Sequence, residues 1–473
     1  MASGFVRAAD IAFAPNERIF VAERRGLVWI VDDGVRLPDP FIDLIDEVGD
    51  GRHRGVLGIA LHPDFENTPW VYLLYVVDPI PGQPNEPPET PTFGRLTRYL
   101  ADPATGGNTA LLSSREVLIG VNPDEGFIHC TNAHIVGTLR FSSDGTLFAG
   151  TGDGSHFDGV DTGGRDPDCF TPPLFDPIHD IGAFRAQFRG SLAGTIIRID
   201  PETGQGLPSN PFWTGDPQDT QSKVWVYGLR MPFRFALRPG SGVPETLYIG
   251  DVGWGTWEEM DVAYGGENFG WPCYEGVGQQ SQYFNRTPAH SGCDTIETPD
   301  NPGPLTPPII TWHHSDAGLS IPPGFEGRCA AGGAFYTGHC YPPEYRGRVF
   351  FADYVNRWIN VLEVDDNDNY VSLNTFATDL LRPVALKTHP ITGDLYYVSF
   401  SPGEVGRIYY ETLSTDSDRD CDVDMVDFRA FQICFTGEGG LLGPGCEGFD
   451  SDGDLDVDLE DFRVFQEDFT GPL

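Results

Sequence analysis

Residues 137–153 read GTLRFSSDGTLFAGTGD, and the fold prediction starts from this stretch. Apolar and polar residues alternate, a turn of Ser, Asp and Gly follows, and a second apolar run completes the unit. Alternation with a period of two predicts a half-buried strand, and the turn between two such runs predicts a hairpin. The stretch therefore predicts two adjacent antiparallel strands.

Similar hairpin units recur along the chain, and almost no segment between residues 5 and 411 shows a helical period. The other copies lie at residues 9–32, 55–77, 233–262, 347–363 and 383–410. Six irregular copies over this length predict radially arranged four-stranded sheets, which make a mainly β, six-bladed β-propeller over residues 5–411. An array of β-sandwiches is the competing architecture. It would need linkers between its domains, and no Ser/Gly or Pro linker interrupts the region.

Residues 412–473 have a different composition, with 17 acidic residues against three arginines. They contain two loops 34 residues apart, DSDRDCDVDMVD at 416–427 and DSDGDLDVDLED at 450–461. Carboxylates at loop positions 1, 3, 5, 9 and 12, with a backbone carbonyl at position 7, have the spacing that wraps one calcium ion. The predicted ligands are Asp416, Asp418, Asp420, Asp422, Asp424 and Asp427 in the first loop, and Asp450, Asp452, Asp454, Asp456, Asp458 and Asp461 in the second.

Each loop is followed by phenylalanines at spacing i, i+3, i+7, which predicts a short helix with one buried stripe. The stripes are Phe428, Phe431 and Phe435, and then Phe462, Phe465 and Phe469. Valines at loop position 8, Val423 and Val457, are expected to bridge the two loops. Position 6 departs from the EF-hand pattern, because it holds Cys421 and Leu455 where glycine normally makes the sharp turn. A left-handed conformation there would cost roughly 1 kcal/mol per site.

The tail, residues 412–473, resembles type I dockerin repeats in its aspartate at position 12 and in having no helix before either loop. The resemblance implies a small α-helical, EF-hand-like domain that binds calcium and docks to a cohesin-like or cell-surface protein. A solvated acidic tail is the alternative, but such tails lack repeated phenylalanine stripes.

Charge and cysteine content restrict the partners and the location. The net charge of −40 argues against nucleic acid and anionic membranes as partners, and no apolar run reaches transmembrane length. Abundant cysteine, little methionine and the calcium loops favour an extracellular or periplasmic location, although the first residues, MASGFVRAAD, show no signal-peptide core. Connectivity cannot be read from sequence, but spacing favours local pairs: Cys273/Cys293, Cys329/Cys340, Cys434/Cys446 and, less clearly, Cys130/Cys169, with Cys421 left over.

Several segments in order along residues 5–411 resemble the glucose/sorbosone dehydrogenase family, whose members include soluble aldose dehydrogenases that use pyrroloquinoline quinone (PQQ) and Hedgehog-interacting-protein-like propellers. The clearest are AFAPNERIFVAERRG (12–26), RGVLGIALHPDF (54–65), HIVGTLRFSSDGTLFAGTGD (134–153), LAGTIIRID (192–200), VYGLRMPFRFAL (226–237) and GGENFGWPCYEG (265–276). The resemblance implies a six-bladed propeller that oxidises an aldose or oligosaccharide at the anomeric carbon, with PQQ as hydride acceptor and calcium as activator.

The resemblance also implies roles for particular residues. His134 matches the family's catalytic base, and histidine suits that role because its pKa lies near neutrality. Arg230 matches the active-site arginine that stabilises developing negative charge. Arg357 and Arg382 fall near positions that contact the quinone carboxylates, and the carbonyls of Gly253 and Trp254 near the activating calcium. Glu258 and Glu259 are candidates for a neighbouring structural calcium, with surface carboxylates that hold no metal as the alternative.

At four positions the family's glucose oxidisers have polar residues that this chain lacks. The chain has Ala133, Met231, His53 and Leu380 there. These changes leave open a second function class, a sugar- or protein-binding propeller that has lost the quinone. A metal-dependent hydrolase is a third class. It receives little support, because the adjacent His313 and His314 would point to opposite faces of a strand and make poor co-ligands.

Overall fold

The computed structural model describes residues 2–78, 90–171, 174–286, 293, 296, 305–410, 413–418 and 421–470. The chain divides into two units by its internal contacts. The first consists of Met1–Phe335, Arg348–Lys387 and Tyr396–Gly406, and the second of Tyr336–Gly347, Thr388–Leu395 and Arg407–Leu473. Among the described residues no helix is both long enough and apolar enough to cross a lipid bilayer.

Six antiparallel sheets follow one another along the chain, after a short first strand, β1 (Ala2–Ser3). Sheet one contains β2 (Ala8–Phe13), β3 (Ile19–Glu23), β4 (Leu27–Asp32), β5 (Val35–Arg36) and β6 (Ile42–Asp43). Sheet two contains β7 (Val56–Leu61), β8 (Trp70–Val76), β9 (Thr92–Ala101), β10 (Ala110–Ile119) and β11 (Phe127–His129). Sheet three contains β12 (Val136–Phe141), β13 (Leu147–Thr151), β14 (Thr195–Ile199) and β15 (Val224–Tyr227).

The second half of the propeller repeats the pattern. Sheet four contains β16 (Pro232–Leu237), β17 (Leu247–Asp251), β18 (Trp257–Ala263) and β21 (Ile310–His313), with the separate ribbon β19 (Tyr274–Glu275) and β20 (Gly278–Gln279) between them in sequence. Sheet five contains β22 (Ala330–Phe335), β23 (Val349–Asp353), β24 (Trp358–Val364) and β25 (Tyr370–Ala377). Sheet six contains β26 (Pro383–Thr388), β27 (Leu395–Ser399) and β28 (Glu404–Ile408), and it is completed by β1.

These sheets are the blades of a six-bladed β-propeller, and the fold predicted from the repeated hairpins is confirmed. The innermost strands of the first five blades, β2, β7, β12, β16 and β22, each pack against the next in order. Strand β1 closes the ring, because Ala2 pairs with Val405 and Ser3 with Glu404 of the last blade. The strand that closes the ring therefore lies before residue 5, the first residue of the propeller predicted from the sequence. Among the described residues of the propeller, the α-helices are single turns, α1 (Thr220–Lys223) and α2 (Ser281–Phe284), and the remaining helical segments are short 3₁₀ helices.

The innermost strands are buried on both faces, because each contacts the blades on either side. In β2, β7 and β26 every residue but the last is buried. Apolar clusters fill the spaces between blades, for example Leu74 of blade two with Leu139 of blade three. Burial on both faces replaces strict alternation by nearly continuous apolar runs, which explains why the six copies look irregular in sequence.

A fully buried arginine joins the blades at the centre. Arg234 of β16 donates to the carbonyl oxygens of Ala9 at 2.7 Å, Leu57 at 2.9 Å and Val384 at 2.9 Å, and these belong to blades one, two and six. Burial lowers the pKa of Arg234 to about 10, although the negative charge of Asp10 opposes the shift. Polar groups in a propeller core need such partners, since an unpaired buried carbonyl is costly.

In the tail, each predicted helix begins directly after its loop, α3 (Met425–Cys434) and α4 (Leu459–Asp468). Asp424 and Asp458, at loop position 9, are the N-cap residues, and Asp427 and Asp461 complete a capping box with them. Each capping aspartate accepts hydrogen bonds from the otherwise unpaired N–H groups of the first turn. Loop and helix are therefore built from the same carboxylates.

The packing of the tail differs from the sequence prediction in two details. Phe431, Phe449 and Phe465 are the buried rings, whereas Phe435 and Phe469 are 44% and 43% exposed because they follow the last helical residue. The valines at position 8 share one buried apolar cluster, but their backbone groups bond to threonines and not to each other. Val423 pairs through its backbone with Thr470, and Val457 pairs with Thr436, so each loop is held by the threonine that follows the other repeat's helix.

Four disulfides form, and one of them contradicts the pairing suggested by spacing. Cys130–Cys169, Cys273–Cys293 and Cys434–Cys446 agree with the expectation, but Cys340 pairs with Cys421 and Cys329 stays reduced. Strand β22 follows Cys329 directly and continues for six residues. An extended segment therefore stands between Cys329 and Cys340 in the sequence, which a count of the residues between two cysteines does not reveal.

Candidate functional site

The site is built around a short contact between His134 and Asp153. His134 Nδ1 lies 2.7 Å from Asp153 Oδ1. The same carboxylate accepts hydrogen bonds from Trp271 Nε1 at 2.7 Å and Ser155 Oγ at 2.8 Å. His134 is 7% exposed and Asp153 is fully buried. The imidazole is therefore fixed in orientation by a carboxylate that is itself held on several sides.

Two strands bring these residues together. His134 precedes the innermost strand β12, and Asp153 follows β13, its antiparallel partner, so both lie at the same end of blade three. The residue between β13 and Asp153 has to be glycine, because a Cβ at Gly152 would lie 2.5 Å from the carbonyl oxygen of His134. His134 itself has a φ of 50°, a left-handed conformation that is uncommon for residues other than glycine. Such strain persists where the surrounding structure enforces it, and functional sites are frequent examples.

Arg230 approaches from the same end of blade four, just before β16. Its backbone carbonyl accepts a hydrogen bond from the N–H of Asp153 at 2.9 Å. Its guanidinium lies 5.4 Å from the Trp271 ring centroid and donates to the carbonyl oxygens of Val252 at 2.9 Å and Gly253 at 2.5 Å. The structure thus brings the two sequence-predicted catalytic residues, His134 and Arg230, into one connected cluster.

The electrostatics of this cluster keep the imidazole neutral. Burial and the positive charge of Arg230 lower the pKa of His134. Burial would raise the pKa of Asp153, but the charge and hydrogen bond of His134 outweigh it and lower that pKa to about 2. An ionised Asp153 beside Nδ1 requires that nitrogen to carry the proton, which leaves Nε2 as the basic atom.

Asp153 was missed as an orienting residue by sequence reasoning. The signal was present in the GTGD ending of the hairpin at 137–153, because an acid directly after a strand lies beside whatever precedes the partner strand. Asp251 follows β17 in the same way and was missed too. Its carboxylate accepts from the backbone N–H groups of Arg230 at 2.8 Å and Met231 at 2.6 Å.

Positive side chains surround this end of the propeller, in a chain that is strongly negative overall. Arg24 and His53 lie at the corresponding ends of blades one and two, and desolvation together with the charges of His134, Arg24, Arg52 and Arg230 lowers the pKa of His53. Local positive charge of this kind favours an anionic ligand. We call Arg24, Arg52, His53, Arg230, Arg357 and Arg382 the cationic end.

Arg357 and Arg382 belong to the cationic end by topology, but they are not in contact with His134 or Arg230 among the described residues. Arg357 precedes β24 and pairs with Asp379 at 3.2 Å. Arg382 precedes β26 and lies 5.9 Å from the Tyr354 ring centroid. Both have positive φ values, 60° and 50°, and both side chains are exposed. Both side chains therefore face solvent at this end of the propeller.

The segment of Gly253 and Trp254 is held by a buried carboxylate. Glu275 Oε1 accepts from the backbone N–H groups of Trp254 at 2.8 Å, Gly255 at 3.0 Å and Thr256 at 3.2 Å. This arrangement fixes a tight turn beside Arg230. The carbonyl of Gly253 already accepts from Arg230, and a carbonyl oxygen keeps a second lone pair for another partner.

Glu258 and Glu259 are both buried, so the alternative of surface carboxylates is wrong for them. As neighbours in β18 they point to opposite faces and do not share one ion. Glu258 Oε1 lies 2.8 Å from His314 Nε2, and Oε2 accepts from the N–H of Ala330 at 2.7 Å. Burial raises the pKa of Glu258 to about 7.

Glu259 belongs to a different group of buried acids. It lies directly opposite Asp251 in the β17/β18 register, and Asp261 follows on the same face of β18. Burial and the charges of the neighbouring acids raise the pKa values of Glu259 and Asp261. Both carboxylate oxygens of Asp261 are buried with no hydrogen-bond partner among the described residues. A bound cation would satisfy them.

In both tail loops the aspartates converge in groups of three, and the same groups are repeated in each loop. In the first loop, one oxygen each of Asp416, Asp418 and Asp427 lie within 4.8 Å of one another, and Asp422, Asp424 and Asp427 form a second group. In the second loop the groups are Asp450, Asp452 and Asp461, and Asp456, Asp458 and Asp461. Asp420 lies outside the described residues. Asp454 Oδ1 accepts from the N–H of Asp456 at 3.1 Å.

The sharp turn at position 6 forms without glycine. Cys421 has a φ of 75° and Leu455 a φ of 74°. The aspartate at position 1 holds this turn, because Asp416 Oδ2 accepts from the N–H of Cys421 at 3.0 Å and Asp450 Oδ2 from that of Leu455 at 3.2 Å. Hydrogen bonds within the loop thus oppose the strain of the left-handed conformation.

Comparison with known proteins agrees with this arrangement. The HIPL2 protein of Arabidopsis thaliana is 25% identical over 422 residues, which cover 79% of this chain and 55% of that protein. The aldose sugar dehydrogenase YliI of Escherichia coli is 23% identical over 263 residues, 55% of this chain and 58% of that protein. The chain therefore spans little more than half the length of either relative.

Among solved structures, the PQQ-bound aldose sugar dehydrogenase of Streptomyces coelicolor superposes with a TM-score of 0.57 at 20% identity, covering 86% of this chain and 94% of that one. This likeness concerns the fold. The family model for glucose/sorbosone dehydrogenases matches residues 6–399, which include five whole blades, strands β26 and β27 of the sixth and the whole cluster around His134. The chain belongs to the glucose/sorbosone dehydrogenase family.

Proposed function

We propose that the propeller oxidises an aldose or oligosaccharide at its anomeric carbon, with PQQ as hydride acceptor. The observation that supports this most is the 2.7 Å contact between His134 and Asp153 beside the buried Arg230. A neutral, oriented imidazole next to a fixed positive charge is what proton removal from a hydroxyl requires. Family membership and the name of the Escherichia coli relative, an aldose sugar dehydrogenase, support an oxidation of this kind.

In this proposal Asp153 holds the proton on Nδ1 of His134, and Nε2 takes the proton of the anomeric hydroxyl. Arg230 lies close to the negative charge that develops on the substrate oxygen as the proton leaves. Its guanidinium is 5% exposed, so water screens this interaction only weakly. When bound, PQQ supplies the acceptor for the hydride and its two electrons.

The positive charge of the site suits a quinone that carries several carboxylates. Some positions that are polar in the glucose oxidisers, however, hold apolar residues here. The cationic end offers arginines for bidentate contacts with carboxylates. Gly253 keeps a lone pair for calcium, and the Trp254 carbonyl lies in the same held turn. Against this, Ala133, Met231 and Leu380 replace polar residues of the glucose oxidisers. We therefore expect weaker quinone binding and a substrate other than glucose.

The test is a calorimetric titration of chelator-treated full-length protein with PQQ in the presence of calcium, followed by a dye-linked assay over a panel of aldoses and oligosaccharides. We expect micromolar binding and oxidation of at least one sugar. Arg382→Ala should weaken PQQ binding, whereas Arg286→Ala, an exposed arginine outside the cationic end, should not. No binding at micromolar PQQ would sink the enzyme proposal.

That negative outcome would favour a non-catalytic propeller that binds sugars or proteins. The specific observation behind this alternative is the apolar lining left by Ala133 and Met231, which are 0% and 8% exposed beside His134 and Arg230. Direct sugar binding without PQQ, measured by calorimetry on the same preparation, would separate the two functions.

We further propose that the buried Glu259 and Asp261 bind a structural calcium ion, whereas Glu258 pairs with His314. The unsatisfied buried oxygens of Asp261 support this assignment. Asp261→Asn should lower the calcium content of the protein by one ion. An unchanged content would count against the site.

For the tail we propose a separate calcium-binding domain at 412–473, after a propeller at 5–411, with one ion in each loop. The repeated carboxylate groups support two ions, with Asp420 and Asp454 completing the sets at position 5. We also propose that the tail docks the enzyme to a cohesin-like or cell-surface protein. Binding to a cohesin-type protein on a biosensor, abolished by a calcium chelator, is the expected result. Absence of binding in calcium would remove the docking proposal.

An extracellular or periplasmic location completes the proposal. Four disulfides support it, because such bonds persist in oxidising compartments. Thiol labelling of the protein isolated from its native source should find one reactive cysteine, Cys329, after denaturation. Nine free thiols would indicate a reducing compartment.

A further inference from the structure

One metal-ligating cluster belongs neither to the site around His134 nor to the tail. It lies in the connection between β13 and β14, residues 152–194, which is unusually long for a propeller hairpin. One nitrogen of the His156 ring and one oxygen each of Asp161 and Asp166 lie within 4.8 Å of one another. His156 is 8% exposed and Asp161 is 3% exposed. We propose that these three side chains bind a divalent transition-metal ion of the zinc class.

The contacts within the cluster are already close to those of a metal site. His156 Nε2 lies 2.7 Å from Asp166 Oδ2, and the backbone N–H of His156 donates to Asp161 Oδ2 at 3.1 Å. Ligand atoms of a tetrahedral zinc ion are about 3.3 Å apart, given bonds of about 2.0 Å. A small outward movement of two side chains would therefore admit the ion.

The charge balance supports a cation at this point. Asp161 is buried, and among the described residues its carboxylate accepts only from backbone N–H groups, those of His156 and Gly163. Asp166 pairs with His156, so Asp161 has no positive side chain of its own. A buried carboxylate without a counter-charge is expensive. A divalent ion would neutralise both acids while the imidazole binds in its neutral form.

The donor set distinguishes this site from the calcium sites. Calcium takes six to eight oxygen ligands, and an imidazole nitrogen is a poor ligand for it. One histidine and two carboxylates instead suit zinc, cobalt or manganese, with one coordination position open to water. The two classes of site are therefore separable by the metal supplied.

The position of the site gives it a role in holding the catalytic cluster. His156 follows Ser155 directly, and Ser155 hydrogen-bonds to Asp153 through its backbone N–H at 2.9 Å and its hydroxyl at 2.8 Å. A metal ion bridging His156 to Asp161 and Asp166 would close residues 156–166 into a small ring next to this contact. The ion would restrain the long connection where it meets the cluster around His134.

The experiment uses full-length protein stripped with a chelator and then kept in millimolar calcium, which fills the calcium sites. Cobalt is titrated as a spectroscopic probe, and zinc content is measured by mass spectrometry after dialysis. We expect one equivalent of zinc per chain and a visible cobalt absorption band typical of four-coordination. Zinc should also raise the thermal midpoint of this calcium-loaded wild type.

Two variants and one matched control assign the ion to its ligands. His156→Gln and Asp166→Asn should each weaken zinc binding by at least about tenfold. Asp168→Asn is the control, because Asp168 lies in the same connection, is exposed and is not part of the cluster. The control should bind zinc as tightly as wild type. Failure of the wild type to bind zinc, or equal binding by His156→Gln, would overturn the proposal without touching the proposed oxidation.

Discussion

Asp153 and His134 are 19 positions apart in sequence, yet a 2.7 Å contact joins them because β12 and β13 form one hairpin. Trp271 and Ser155 also donate hydrogen bonds to the Asp153 carboxylate, and these bonds fix its position beside the imidazole ring. The relationship makes the protonation state of one residue a property of the pair. It also separates two roles, removal of a proton and orientation of the group that removes it.

Loss of either member should reduce sugar oxidation, for different reasons. His134→Ala removes the base, and we expect kcat/KM to fall by about 10²–10⁴. Asp153→Asn keeps the shape of the carboxylate but no longer fixes the proton on Nδ1, so kcat should fall by about 10² or more while KM changes little. Steady-state kinetics with PQQ and calcium saturating would measure both. His62→Ala, a histidine outside the cluster, is the control and should behave as wild type.

The dependence of the oxidation on pH should reflect the lowered pKa of His134. Because burial and the charge of Arg230 lower the pKa of His134 below its usual value of 6.5, kcat/KM should be constant at neutral and higher pH. It should decline only as the pH falls through the lowered pKa. In Asp153→Asn the decline should move to still lower pH, because the negative charge of Asp153 raises the pKa of His134. A wild-type decline centred above pH 6.5 would contradict this assignment of the base.

The buried Arg234 should contribute more to the free energy of unfolding than an exposed arginine does. Arg234→Met leaves the buried carbonyls of Ala9, Leu57 and Val384 without their donor, and each such group costs about 1–3 kcal/mol. We expect the free energy of unfolding to fall by at least about 3 kcal/mol. Chemical denaturation followed by tryptophan fluorescence would measure it. Arg286→Met at an exposed position should change it by less than about 0.5 kcal/mol.

In the tail, the aspartate at position 12 should control one ion per loop. Asp427 accepts from the N–H of Ser417 at 2.6 Å and Asp461 from that of Ser451 at 2.7 Å, so each carboxylate also closes its loop. Asp427→Asn and Asp461→Asn should each lower the number of calcium ions per chain by one, measured by calorimetry. Glu467→Gln, an exposed acid on α4, should leave the count unchanged. Equal counts in all three variants would refute the ligand assignment.

The parts of the structure that repeat in sequence were predictable, and those that depend on contacts far apart in sequence were not. The six hairpins and the two loops each carry a local pattern, so the strands, the turns and the two tail helices could be predicted from the residues. The closure of the last blade by Ala2 and Ser3 could not, because two residues carry no periodicity. The disulfide between Cys340 and Cys421 could not be predicted either, because it joins two residues that are far apart in the sequence.

The candidate site was predictable only where a residue type and a family motif coincide. His134 and Arg230 were found in this way. Asp153, Asp251 and Asp261 were not, because a buried acid becomes informative only when its neighbours are known. The same holds for Glu258 and Glu259. They are adjacent in the sequence but lie on opposite faces of β18, so Glu258 contacts His314 whereas Glu259 lies opposite Asp251.

The bond between Cys340 and Cys421 closes a covalent ring of the intervening chain. A protease that cuts once within this ring produces two fragments that still migrate as one molecule until a reductant is added. After a cut inside this ring, release of the first calcium loop requires a second chemical event, reduction of the disulfide. In an oxidising medium rich in proteases, the protein would be nicked there without being separated.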